Sequence, residues 1–162
     1  MLHERWHMST AKLICIVVMT FVVNGSAVGC RQEQQQTCRD FFAQSIEQQE
    51  TQFRTFSLEH QLEIYRCGMR RRPPELALAY DIAKGGQKIV PALTDALHNE
   101  KDEWMQYAII DIFRVMSKDG YLRGKTAAIQ QIRDTVSAMK TSRIRNGAEE
   151  SLKEIEANTI GK

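Results

Sequence analysis

Lys88-Ile89-Val90-Pro91-Ala92-Leu93-Thr94-Asp95-Ala96-Leu97-His98 is followed by Asn99-Glu100-Lys101-Asp102-Glu103. Then comes Trp104-Met105-Gln106-Tyr107-Ala108-Ile109-Ile110-Asp111-Ile112-Phe113-Arg114-Val115-Met116-Ser117. This run decides the fold class. Ile89, Leu93 and Leu97 recur at every fourth position, and Val90 widens the apolar stripe into a helix face. Trp104, Ala108, Ile112 and Val115 repeat at helical spacing beyond the polar turn, whose acids suit a helix start, and Gly120 is placed to close the second helix. Two helices of similar length joined by a short polar turn form an antiparallel hairpin, expected at about 88–98 and 103–117. Leu93, Leu97, Ala108 and Ile112 are the expected core positions.

The same periodicity continues on both sides. Ile129, Ile132, Val136 and Met139 mark a helix after Gly124. Asn146-Gly147-Ala148-Glu149 resembles a capping box, with Leu152 and Ile155 offering a last, weaker apolar face. Toward the N-terminus, a short helix over 75–83 ends at Gly85-Gly86. Before it, Leu58, Leu62, Tyr65 and Met69 form one face of a helix capped by Ser57 and stopped by Pro73-Pro74. Phe42, Ile46, Gln49, Phe53 and Phe56 fall on one face of an earlier helix. Sustained strand-like alternation is missing beyond the N-terminal apolar run, so the fold class is all-α: a short irregular helical bundle or a stack of antiparallel helix pairs.

The N-terminus is a different kind of sequence. Arg5 and Lys12 precede the apolar run 13–23, and the small-residue stretch Asn24-Gly25-Ser26-Ala27-Val28-Gly29-Cys30 follows. These are the three parts of a secretory signal peptide, and the run is about half the ~20 apolar residues a membrane span needs. Ala27-Val28-Gly29 suits an ordinary signal peptidase. Ala27-Val28-Gly29-Cys30 also resembles the bacterial lipobox, with Ala27 where that motif usually carries Leu. Cys15 leaves with the leader, and lipidation of Cys30 would make the remaining thiols even, with Cys38 and Cys67 a candidate pair. At 1.5 Å per residue a straight hairpin would hold these two about 12 Å out of register, so a bridge needs a break in the first helix or its later start. The expected organisation is a leader over 1–29, a lipidated Cys30 with a Gln-rich tether to residue 37, and one helical domain over 38–160. The location is then periplasmic or anchored to an envelope membrane through Cys30.

The stretch Val90-Pro91-Ala92-Leu93, the acidic turn 99–103 and the helix through Met116 together resemble a HEAT-type repeat. The basic residue usual early in its second helix is replaced by Met105 or Gln106. The resemblance covers about 88–117 and implies a right-handed stack of helix pairs that binds another protein along a groove.

Charge and chemistry narrow the function classes. Of 22 basic and 20 acidic residues, the leader holds Arg5, Lys12 and Glu4, which leaves 20 facing 19. That balance gives no nucleic-acid footprint. Gly124-Lys125-Thr126 lacks the spacing of a phosphate-binding loop, since Asp119 stands where the first glycine belongs. Beyond the leader no close Cys or His pairs indicate a metal, and no cofactor motif is present. Glu59, His60 and Glu63 are the best titratable cluster, with His98 a distant companion; Glu59 and Glu63 share a helix face while His60 points elsewhere. Arg70, Arg71 and Arg72 could meet anionic lipid or an acidic partner, and Trp104 and Tyr107 are residue types that anchor interfaces. The expected function is therefore a non-catalytic protein-interaction module of the bacterial envelope. The alternatives are a small periplasmic inhibitor or immunity protein, or an envelope hydrolase built on Glu59, His60 and Glu63.

Overall fold

The computed structural model describes residues 36–160, and every regular element among them is helical. The leader, Cys15 and Cys30 lie outside the described residues. The chain divides into two units, one ending at Ser45 and one from Ile46 onward.

In the first unit residues 36–42 form helix α1. Gln36 Nε2 donates to Asp40 Oδ1 at 2.8 Å one turn on, and Phe41 is buried with its ring edge-on to Phe42 at 5.1 Å.

In the second unit the helices are α2 (Ile46–Phe53), α3 (Leu58–Met69), α4 (Ala77–Ala83), α5 (Val90–Asn99), α6 (Glu103–Lys118), α7 (Thr126–Ala138) and α8 (Ser142–Ile160). The single early helix expected through Phe42 and Phe56 is instead two, interrupted at 43–45 and finished at Phe53. Ile46 is 75% exposed, whereas Phe53 is fully buried. Ser57 caps α3 as expected, its Oγ accepting from His60 N at 3.3 Å.

The helix pair at the centre of the sequence forms within two residues of its expected bounds. Pro91 stands in the first turn of α5, where its missing N–H leaves nothing unsatisfied. Asp102 caps α6 by accepting from Trp104 N at 2.9 Å. At the other end Gly120 adopts φ 76°, with Gly120 N donating to Ser117 O and Tyr121 N to Met116 O. That pair of bonds is a Schellman cap. Leu93, Leu97, Ala108 and Ile112 are all buried.

Helix α6 is buried on every side rather than on one stripe: ten of its sixteen residues are inaccessible. It packs most heavily against α8 and α4, with smaller contacts to α5 and α3, while α5 packs on α7. The direction of α8 follows from its partners. Glu103 reaches Lys140, Arg114 reaches Glu154, and Ser117 accepts from Asn158, over separations of 37, 40 and 41 residues. Partners that advance together along both helices mean that α6 and α8 run parallel. Arg133 on α7 meets Glu156 on α8 across 23 residues, so α7 and α8 form a hairpin. The result is an all-α bundle around a central helix.

The start of α8 departs from the sequence reading. Asn146-Gly147-Ala148-Glu149 lies inside the helix instead of capping it. Gly147 serves a different purpose, because a Cβ there would meet the Tyr107 ring at 3.4 Å. The amides ahead of α8 are satisfied from another helix: Glu103 Oε1 accepts from Lys140 N at 2.7 Å and Oε2 from Thr141 N at 3.0 Å. Those two bonds hold the Glu103 carboxyl below the usual glutamate range, the Lys140 amide contributing most.

Candidate functional site

Three clusters carry polar chemistry. The first lies where α3, α6 and α8 meet. Asp111 is the lone acid in the buried stretch of α6, at 8% exposure. Its Oδ1 accepts from Arg114 Nε at 2.7 Å, one turn on. Arg114 Nη1 also reaches Glu154 Oε2 at 3.3 Å, and Lys118 approaches the same oxygen at 3.5 Å. A charge this deep is costly without a partner, and Arg114 offsets the cost while tying α6 to α8. Asp111 raises the already high pKa of the Arg114 guanidinium through their hydrogen bond. Burial alone would raise the Glu154 carboxyl, but Arg114 and Lys118 outweigh it and leave the group below its ordinary range.

Two phenols complete this cluster. Tyr65 is fully buried, and its hydroxyl has no hydrogen-bond partner among the described residues. Burial, then the field of Asp111, pushes its ionisation upward. Tyr107 is raised by the same two causes in the same order. Both phenols are therefore held neutral, and Asp111 is committed to Arg114. This network fixes the register of α6 on α8.

The second cluster is the acidic turn between α5 and α6. Glu100 Oε1 accepts from the amides of Lys101 and Asp102 at 2.8 and 2.9 Å, and Oε2 pairs with Arg66 of α3. Asp102 Oδ2 pairs with Arg70 at 3.5 Å. The turn that resembles a repeat motif is thus stitched to the end of α3. Arg70, a candidate for partner binding from sequence, is engaged within the fold.

The third cluster is a surface. Leu76 is 50% exposed, Tyr80 53% and Trp104 36%. The Trp104 Nε1–H donates to Met69 O at 3.2 Å, and its ring centroid lies 5.7 Å from that of Tyr107. Trp104 is therefore held by its polar edge with one face in solvent. Arg71 and Arg72 follow Arg70 on the exposed segment after α3.

The residues named for hydrolysis stand on the surface of α3 and α5. Glu59 and Glu63 are exposed, His98 is exposed on α5, and His60 stacks on Phe56 with centroids 3.9 Å apart. A shallow open groove of about 390 Å³ is lined by Arg54, Gln61, Asp81, Lys84 and Ile89, and by none of those four. Lys84 pairs with Asp81 there, and Arg54 lies 3.9 Å from Glu50. Among the described residues no group of three His, Cys, Asp or Glu is placed to hold a metal ion. No helix among them is long and apolar enough to cross a membrane. Cys38 and Cys67 are each disulfide-bonded. The Asp111–Arg114–Glu154 network was missed by the sequence reading, although an acid three residues before an arginine in an apolar run was its visible signal. No protein-family model, curated protein or solved structure matches the chain.

Proposed function

We propose that this chain is an exported, lipid-anchored helical module that binds another protein rather than catalysing a reaction. The observation that carries the reading is the parallel run of α6 and α8, whose partners lie 37 to 41 residues apart. HEAT-type arrays repeat a helix pair about every 40–47 residues, each pair stacked on the next to complete its core. Here α5–α6 and α7–α8 are two such pairs, with α5 on α7 and α6 on α8. Modules of this build offer long helix faces to partners, and their terminal helix presents a polar outer side. Helix α8 fits that role: Arg143, Glu149, Glu150 and Lys153 are exposed, while Ala148, Ser151 and Ile155 are buried.

Export is supported by the oxidised state of Cys38 and Cys67, since disulfides persist in oxidising compartments. On this reading the two form one bridge and Cys30 carries lipid. Detergent phase partitioning tests the anchor: wild type enters the detergent phase and Cys30→Ser stays in water, whereas both staying in water contradicts it. Mass measurement after alkylation without reductant tests the bridge, with no alkyl group expected on Cys38 or Cys67.

Photo-crosslinking in growing cells tests the interaction. Photoreactive residues at exposed His98 on α5 and Gln130 on α7 should trap one defined protein, with Lys153 on α8 as a comparison position. Adducts from none of the three positions would count against an interaction module.

A further inference from the structure

Among the described residues the Tyr65 hydroxyl is the one buried side-chain polar atom without a hydrogen-bond partner. Tyr65 belongs to α3, and its side chain is wholly enclosed. Helix α3 is set against α6 by Met69 O, which accepts the Trp104 indole N–H, and by Arg70, which pairs with Asp102. A hydroxyl enclosed by hydrocarbon gives up its bonds to water, and that is costly unless another partner replaces them. Asp111, 8% exposed on α6, is the acid whose field acts on this phenol, second only to burial. The two groups are therefore within electrostatic reach, yet no hydrogen bond joins them. Asp111 commits Oδ1 to Arg114 Nε at 2.7 Å. A carboxylate offers about four lone-pair sites, so that bond leaves it capacity to accept more.

We propose that the junction of α3 and α6 is a binding site for one internal water, which accepts from the Tyr65 hydroxyl and donates to the Asp111 carboxylate. Buried waters take such places, bridging polar groups that the chain itself leaves unsatisfied. The neutral phenol supplies the donor, and the carboxylate supplies the acceptor. A metal cation fits poorly, because the Arg114 guanidinium already neutralises Asp111. An anion fits poorly because Asp111 repels it. The slight exposure of Asp111 gives the water a route of exchange with solvent. The site also extends the network described above. Arg114 joins Asp111 to Glu154 on α8, and the water joins the same carboxylate to α3, so one acid holds three helices in register.

The test uses the full chain in detergent micelles, which suit its apolar N-terminal run. Oxygen-17 relaxation dispersion of the solvent counts the water molecules held inside a protein, and the comparison is wild type against Tyr65→Phe. That change keeps the ring and removes only the oxygen. The bridge predicts one long-lived water fewer in the variant and a melting temperature lower by about 3 °C. An unchanged count with an equal or higher melting temperature would show that the hydroxyl is simply unpaired, and overturns the site. An unchanged count with a lower melting temperature would show that the hydroxyl bonds Asp111 directly, and overturns it too. The other end of the bridge is tested with Asp111→Leu in an Arg114→Met background, where no guanidinium is left behind. Circular dichroism confirms that this variant keeps its helix content. It should lose the same water, so adding Tyr65→Phe to it removes no second one. Retention of that water without Asp111 contradicts the bridge.

Discussion

Helices α6 and α2 both begin from a short turn and carry apolar residues at helical spacing, yet they end in opposite environments. Ten of sixteen residues are buried in α6, and only Phe53 of eight in α2. What separates them is how much of the circumference is apolar. Between Met105 and Met116, α6 carries Ala108-Ile109-Ile110, Ile112-Phe113 and Val115-Met116, so every direction presents a hydrocarbon. A helix apolar all round belongs at a centre. Helix α2 reads Ile-Glu-Gln-Gln-Glu-Thr-Gln-Phe, with apolar residues only at its two ends. Periodicity finds that a helix exists; apolar density around the axis decides whether it organises a core or lies on the surface.

The sharpest way to break this contrast is to cut the same kind of group from both helices. Ile112→Ala should cost about 2–5 kcal/mol, because Ile112 is fully enclosed and the void cannot collapse from any one side. Ile46→Ala should stay within about 0.5 kcal/mol, since Ile46 is 75% exposed. Denaturant melts of the two variants decide: equal losses would show that α2 is as central as α6.

The next largest effect concerns the one charge that α6 carries inward. Asp111→Ala removes the acceptor from Arg114, whose side chain is only 19% exposed, and should cost about 1.5–3 kcal/mol. The double variant Asp111→Ala with Arg114→Met should recover part of that loss, because no guanidinium is left beside the apolar core with Glu154 as its one remaining acceptor. Full additivity of the two single losses would mean that the pair is not coupled.

A smaller, pH-dependent effect marks the start of α8. Glu103 has its carboxyl held below the ordinary 4.5 by the amides of Lys140 and Thr141. Its contribution is therefore complete above that value and fades as pH falls through the lowered one. Glu103→Gln should melt lower than wild type near neutral pH, and the gap should close under acid. A gap unchanged down to pH ~2 would show that the carboxylate's charge is not what satisfies those amides.

Much of this architecture was legible in the residues. The pair α5–α6, the acidic turn at the start of α6, the Gly120 terminus and the core positions Leu93, Leu97, Ala108 and Ile112 all follow from local spacing and turn chemistry. At the start of α8 a tertiary partner replaced a local one. Asn146-Gly147-Ala148-Glu149 had the form of a local cap, but Glu103, 37 residues earlier, supplies the acceptor, and Gly147 makes room for Tyr107. Phe42 and Phe56 had the spacing of one helix face, but the chain breaks at 43–45 and the buried rings are Phe41 and Phe53. Of the candidate site residues, Arg70 and Trp104 proved to be tied to Asp102 and Met69. Sequence spacing could not show those ties, because the partners stand 32 and 35 residues away.

The central claim is that α6 and α8 run side by side in the same direction, about one helix pair apart. Paired spin labels test it directly. Lys118, Arg143 and Ala157 are exposed, at the end of α6, the start of α8 and near the end of α8. Parallel helices place 118 beside 157, with axes about 8–10 Å apart. They place 143 about 20 Å further along, at 1.5 Å per residue. The account predicts a short 118–157 distance and a long 118–143 distance. The reverse order would mean antiparallel helices and would contradict both the bundle described here and the stacked-pair reading drawn from it.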